Sequence, residues 1–120
     1  MNLKDISIFR NLTDEVIEKL KKKTNFVEKT YTKGERIFSY GEVSGDLYYL
    51  VEGNVTVYRI DTNGKRFIIK NFDKPAVFGE IYSYLKEPFD FSAQAESESK
   101  ILVIEDFASL FEGGSARGIL

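Results

Sequence analysis

The chain has 120 residues, 42% hydrophobic and 30% charged, with 19 acidic against 17 basic residues and a net charge of −2. This composition is typical of one soluble globular domain and argues against a strongly basic nucleic-acid-binding segment. The absence of Cys and His excludes disulfides, thiolate and imidazole metal sites, histidine-ligated haem and a Ser-His-Asp triad. A binding role is therefore favoured over catalysis.

Residues 1–20 scatter charges among their apolar residues and contain no uninterrupted apolar run. They predict neither a signal peptide nor a membrane anchor. Together with the lack of disulfides, this favours a cytoplasmic protein with no membrane partner.

One early segment, residues 11–23, has the period of an amphipathic helix. Its apolar residues recur at steps that place them on one stripe: Leu12, Val16, Ile17 and Leu20. Thr13 is predicted to cap the helix N-terminus, and the lysines of residues 19–23 suit the negative end of the helix dipole. A nucleic-acid patch is the less favoured interpretation of these lysines.

From Asn25 onward the chain changes to short β-branched and aromatic runs separated by glycines and charged turns. These runs predict strands over residues 26–32, 36–40, 47–51, 54–60, 66–72, 76–78, 89–96 and 101–104. The Asn-Gly pair within residues 61–65 predicts a tight hairpin. A short apolar piece at 81–85 interrupts the strands, and residues 106–111 have the pattern of a helix start. Seven or eight short strands predict a sandwich or jelly roll.

Three glycines, Gly34, Gly41 and Gly53, fall between predicted strands, at corners that need a positive φ or a close backbone approach. The strand sequences between Gly34 and Gly79 make their spacing more specific than glycines alone. This stretch resembles the cyclic-nucleotide-binding-like domain of the cAMP receptor protein/FNR regulator superfamily. The resemblance implies a mainly-β double-stranded β-helix, or jelly roll, with flanking helices and an interior effector pocket.

The likeness extends over nearly the whole chain. Residues 8–13 are similar to the family's approach to its first helix, and residues 101–107 to its last strand and following helix. Residues 78–81 are similar to the start of its phosphate-binding cassette, and Ser92-Ala93 to the end of that cassette. The resemblance thus predicts an effector domain over residues 1–112.

The last eight residues, 113–120, lack the period of any element. They are predicted to form a flexible tail, or the truncated start of the dimerisation and DNA-binding region that the resemblance implies. Homodimerisation and DNA binding are accordingly expected of a parent protein, with DNA contacted only through a domain absent from this chain.

In nucleotide-binding members of the family, an arginine just before the Ser/Thr-Ala end of the cassette neutralises the cyclic phosphate. Here Phe91 stands before Ser92, and no arginine occurs between Arg66 and Arg117. Lys86 is the nearest substitute, but it offers a point charge and not a fork. A buried phosphate without its partner loses roughly two to four decades of affinity. Binding of cAMP or cGMP at physiological levels is therefore not expected.

The loop of residues 81–91 is aromatic instead. We expect it to line a pocket for a small apolar or aromatic effector of unknown identity, oriented by Glu80 and Ser92. The predicted ligand-binding residues are Phe78, Gly79, Glu80, Ile81, Tyr82, Phe91, Ser92 and Ala93. In the alternative interpretation, Tyr82, Tyr84, Phe89 and Phe91 fill the barrel themselves, and Glu80 only stabilises a helix N-terminus.

Three functions follow from these patterns. The favoured one is the effector-sensing N-terminal domain of a bacterial transcription regulator, with no cofactor, no metal and no catalytic residue. The competing one is a ligand-free, degenerate jelly-roll module that acts through dimerisation or protein contacts. An enzyme is least favoured, because a metal-dependent cupin of similar fold needs histidines and a carboxylate pair such as Glu80 and Asp90 is a weak signal.

Overall fold

The structure is a computed structural model that describes residues 9–109. Within this range the chain forms two α-helices and eight strands. In chain order they are α1 (Asp14–Lys23), β1 (Phe26–Tyr31), β2 (Arg36–Phe38), β3 (Leu47–Glu52), β4 (Val55–Ile60), β5 (Arg66–Phe72), β6 (Ala76–Phe78), α2 (Glu80–Leu85), β7 (Ser92–Ala95) and β8 (Ser99–Ile104).

The strands pair into two four-stranded sheets, one in the order β1-β8-β3-β6 and the other in the order β2-β7-β4-β5. Every pairing is antiparallel. Apart from the β4–β5 hairpin, sequential strands alternate between the sheets, so the chain rolls up as a mainly-β jelly roll. The predicted fold class is confirmed.

Strands β3 and β8 are buried on both faces, which explains their compact apolar sequences. In β3, Leu47 and Tyr49 pack beneath α1, whereas Tyr48 and Leu50 point between the two sheets. This is the two-residue alternation of a strand. Helix α1 covers the first sheet with Ile17 and Leu20, both buried.

The predicted cap of α1 is confirmed. The Thr13 side chain accepts a hydrogen bond from the Val16 N–H at 3.3 Å, and the helix begins at Asp14, three residues later than its apolar period. Strand β2 ends at Phe38, before the predicted Tyr40, because the Tyr40 N–H bonds to a side chain outside the ladder, the Ser92 hydroxyl.

Two other segments differ from expectation. The extended run predicted at 89–96 forms a strand only over Ser92–Ala95, because the Phe89 N–H and C=O bond to the loop at residues 41–42. The helix start predicted at 106–111 begins with a turn, in which Asp106 has a φ of +54° and donates its N–H to the Asp46 carboxylate at 2.8 Å. A single 3₁₀ turn follows at residues 107–109, and the Ser109 N–H donates to the Asp106 carbonyl at 3.1 Å. Residues 110–111 and the predicted tail, 113–120, lie outside the described residues.

Strand β5 closes one end of the second sheet and pairs with β4 alone. Its apolar side chains Phe67, Ile68 and Ile69 are all exposed.

At the other end of β4, Gly53 turns the chain into the strand with a φ of +119° and its α-carbon packed against Ser99. No helix in residues 9–109 is both long and apolar enough to span a membrane.

Candidate functional site

The segment predicted to be the cassette is a sharp turn followed by the short helix α2. Gly79 joins β6 to α2 in the left-handed region, with a φ of +70°. A Cβ at this position would lie 3.1 Å from ring atoms of both Phe38 and Phe89. Glycine is thus required here for its positive φ and for the closeness of two buried rings.

Beneath the cassette, seven aromatic side chains fill the space between the two sheets. We call this set the aromatic core: Phe38, Tyr48, Phe72, Phe78, Tyr82, Phe89 and Phe91. Its centre is the stacked pair Phe38 and Phe89, whose ring centroids lie 3.8 Å apart with an interplanar angle of 10°. Such pairs contribute about 0.5–1.5 kcal/mol beyond the area that they bury.

Burial divides the aromatic core into a floor and a rim. Phe38, Phe78 and Phe89 are at most 2% exposed. Tyr82 and Phe91 are half-buried and meet edge to face, with centroids 5.4 Å apart and an interplanar angle of 85°. The rim rings therefore lie between the buried floor and solvent, where a side-chain movement would open the interior first.

The predicted ligand-binding residues do not all face this interior. Phe78, Tyr82 and Phe91 belong to the aromatic core, and Ala93 is buried beside it. Glu80 is half-buried at the first position of α2, whereas Ile81 is 63% exposed and points away from the floor.

Ser92 lies on the opposite face of β7 from Ala93, as the alternation of a strand requires. Its neighbour across the ladder is Tyr58, while that of Ala93 is the core residue Val57. The Ser92 hydroxyl accepts a hydrogen bond from the Tyr40 N–H at 2.9 Å. We call this side of the second sheet the outer face.

A cavity of about 440 Å³ opens on the outer face, with Ser92 in its wall. Asp90 also lines it, and its carboxylate is paired with the Arg59 guanidinium, which donates a further bond to the Asp90 carbonyl at 2.8 Å. The Asp90 charge is thus neutralised by an arginine at this cavity.

Sequence reasoning missed two features of this region. Ser83 is fully buried on α2, and its hydroxyl has no hydrogen-bond partner within residues 9–109. Arg36 reaches the outer face because a bulge shifts the register between Arg36 and Phe38, so that they pair with Gln94 and Ala93 respectively. Periodicity alone would place Arg36 and Phe38 on one face, and no sequence signal marks this bulge.

Two electrostatic shifts are resolved near these sites. A hydrogen bond from Arg66 at 2.6 Å holds the pKa of Glu96 below its usual range, and Arg66 also lies 4.4 Å above the Tyr58 ring. Burial in the aromatic core raises the pKa of Tyr48 to about 12, even though its hydroxyl bonds to the Ser44 hydroxyl at 2.9 Å. In the described residues no cluster of three carboxylates could hold a metal.

The Tyr48 shift predicts a loss of stability in alkali. Below pH 10 the phenol is neutral in both states, whereas between pH 10 and about 12 it ionises only in the unfolded chain. The free energy of unfolding should then fall by up to about 3 kcal/mol through this group. Urea unfolding at pH 9 and pH 12 measures this loss. The free energy of unfolding should fall less between the two pH values for Tyr48→Phe than for the wild type. Equal differences in the two proteins would contradict the assignment.

The chain is an antiparallel jelly roll with a short helix inserted before its seventh strand. The model of the family described as the cyclic nucleotide-binding domain matches residues 28–113, and the chain belongs to this family. Within it, the chain resembles the sensor domains of cAMP receptor protein/FNR-type transcription regulators. No curated protein matches the sequence closely enough to count as a relative.

Three solved structures illustrate the fold similarity. The sensor domain of the transcriptional regulator DNR from Pseudomonas aeruginosa is 24% identical, with a TM-score of 0.78 over 98% of this chain and 77% of that chain. The Thermus thermophilus catabolite activator protein is 24% identical, with a TM-score of 0.69 over 86% of this chain and 47% of that chain. The N-terminal domain of a Streptomyces coelicolor transcriptional regulator is 25% identical, with a TM-score of 0.68 over 82% of this chain and 67% of that chain. The chain spans about half the length of several structures that it matches.

Proposed function

We propose that this chain is the effector-sensing domain of a bacterial transcription regulator and that it does not respond to cAMP or cGMP. The observation that carries the proposal is Phe91, the residue just before Ser92-Ala93, whose ring packs 5.8 Å from that of Phe38. Nucleotide binders of this superfamily are expected to present an arginine there. A phenyl ring gives a cyclic phosphate neither charge nor hydrogen bonds, and an unpaired buried charge is strongly unfavourable.

The effector in this proposal is a small apolar or aromatic molecule. It would enter at the rim of the aromatic core, between Tyr82 and Phe91, and rest on the buried Phe89 ring. Such a pocket needs only a few polar groups to fix orientation. The candidates for this task are Glu80 at the start of α2 and the Ser83 hydroxyl, which has no hydrogen-bond partner among residues 9–109.

The parent protein, in this proposal, is a cytoplasmic homodimeric regulator and not an enzyme. It would contact DNA through a further domain, as the similarity to regulators about twice as long as this chain suggests. The present chain would then supply the sensing step alone. Its net charge of −2 does not favour binding to a phosphate backbone.

A second candidate function is a ligand-free module that acts through protein contacts. The observation that favours it is the Phe38–Phe89 stack at 3.8 Å, because a ring fills the centre of the jelly roll without any ligand. In this version the aromatic core is purely structural. The second sheet would then serve as an association surface.

Isothermal titration tests the exclusion of cyclic nucleotides. We expect no heat of binding for cAMP or cGMP up to about 100 μM, because the cost of an unpaired phosphate places the Kd well above this range. A Kd below about 10 μM for either nucleotide would overturn the proposal.

Thermal unfolding against a library of small apolar and aromatic compounds separates the two candidates, since a ligand that binds the native state raises the melting temperature. If the chain is a sensor, one compound class should raise the melting temperature of the wild type and of Phe67→Leu, but not that of Tyr82→Leu. Phe67 is a suitable control because it is 61% exposed on β5 and lines neither the aromatic core nor the cavity on the outer face. Uniformly negative results in the wild type would favour the ligand-free module.

A further inference from the structure

The cavity on the outer face is distinct from the aromatic core, because the second sheet separates the two. We propose that it is a second binding site, for a small aromatic carboxylate. Its volume of about 440 Å³ lies in the range of small-molecule pockets. The inference does not depend on what the interior of the jelly roll binds.

The anion-binding group of this site is Arg36. Its guanidinium makes one long hydrogen bond, 3.3 Å to the Ser39 hydroxyl, and within residues 9–109 no carboxylate lies in ion-pair range of it. Arg59 also lines the cavity, but Asp90 already occupies it through two bonds. The charges of Arg36, Arg59 and Asp90 leave a net charge of +1, so one monoanion would neutralise the site.

The Ser92 hydroxyl is a second donor that lines the same cavity. A serine hydroxyl has one proton to donate and two lone pairs to accept with. The Ser92 oxygen accepts from the Tyr40 N–H, while its proton meets no acceptor in the described part of the chain. Ser92 lines the cavity, so its hydroxyl can rotate this proton towards a ligand there. Arg36 and Ser92 together suit the two oxygens of a carboxylate.

Two aromatic side chains and one aliphatic side chain in the wall select the body of the ligand. The Tyr58 ring forms part of it and is held in place by its hydroxyl bond to Gln94 at 3.0 Å and by Arg66 above the ring. Tyr40 and Ile60 also line the cavity and are 65% and 57% exposed. An aromatic ring seated here would cover this apolar surface beside the cation.

A titration followed by amide chemical shifts tests the site, with sodium benzoate as the probe and benzamide as its neutral isostere. Benzoate should move the Tyr40 and Ser92 amide signals saturably, and benzamide should bind at least about tenfold more weakly. Arg36→Gln should weaken benzoate binding by a similar factor. Lys70→Gln removes the same charge outside the cavity and should leave the affinity for benzoate unchanged.

Three outcomes would overturn the proposal: no saturable shift at millimolar benzoate, equal weakening by Arg36→Gln and Lys70→Gln, or shifts centred on α2. The last would place benzoate at the aromatic core. The variant Tyr82→Leu distinguishes the two locations. It should abolish benzoate binding in the interior and leave binding on the outer face unchanged.

Discussion

Replacing Gly53 by alanine should lower the free energy of unfolding by about 3–5 kcal/mol, the largest effect expected of any single methyl group in this domain. Gly53 has a φ of +119°, which residues with a side chain rarely adopt. Its new Cβ would also lie 2.6 Å from the Ser99 Cα, an atom of the β8 backbone. Ser99 cannot retreat, because it is fully buried and its hydroxyl accepts from the Asn54 N–H at 3.0 Å.

The matched control is Gly64→Ala in the β4–β5 hairpin. Gly64 also has a positive φ, of +81°, but a Cβ there would meet nothing within 4 Å. The variant Gly64→Ala should therefore lose only about 1–2 kcal/mol of the free energy of unfolding, the cost of backbone strain at a positive φ. Urea unfolding of both variants gives the comparison through the midpoint at unchanged slope. Equal losses for the two variants would show that the contact with Ser99 does not matter.

Replacing Phe89 by alanine should lower the free energy of unfolding by about 3–5 kcal/mol, because Phe89 is 1% exposed and stacks on Phe38. Phe91→Ala removes the same side chain from the half-buried rim and should cost less than half as much. If Phe89→Ala does not fold, Phe89→Leu keeps part of the volume and should lose about 2 kcal/mol.

The same variant reports on how the interior is used. A cavity left by a phenyl ring in an apolar core stays dry and binds small aromatic molecules. Benzene at saturation should therefore raise the melting temperature of Phe89→Ala more than that of the wild type. A loss of stability below about 1 kcal/mol, or equal benzene effects in the two proteins, would indicate that Phe89 does not fill the jelly roll.

Most of the fold was predictable because it rests on local periodicity. The alternation of Val55 and Val57, the compact run at Leu47–Glu52 and the Asn-Gly hairpin each specify a strand or turn within a few residues. The Thr13 cap was predictable for the same reason, since capping joins residues three apart. Strand ends were predicted less well, because distant partners such as Ser92, which bonds to Tyr40, decide where pairing stops.

The candidate sites depend on long-range geometry and were only partly predictable. The sequence identified Phe91 and Tyr82 as cassette residues, but it could not place Phe38 under the cassette, 51 positions before Phe89. Nor could it show that Ser92 and Ala93 belong to different sites, since that depends on which face of β7 meets the core. The outer cavity needs the bulge at Arg36, which no local pattern predicts.

Strand β5 has a consequence for the behaviour of concentrated solutions. In the described residues its far edge pairs with no strand, and three consecutive apolar side chains, Phe67, Ile68 and Ile69, are exposed along it. Such an edge is a template for intermolecular pairing. Arg66 and Lys70 flank the apolar run with like charges that repel a second copy, and salt screens this repulsion. Solubility should accordingly decrease as ionic strength rises, with colloidal association beginning at this edge.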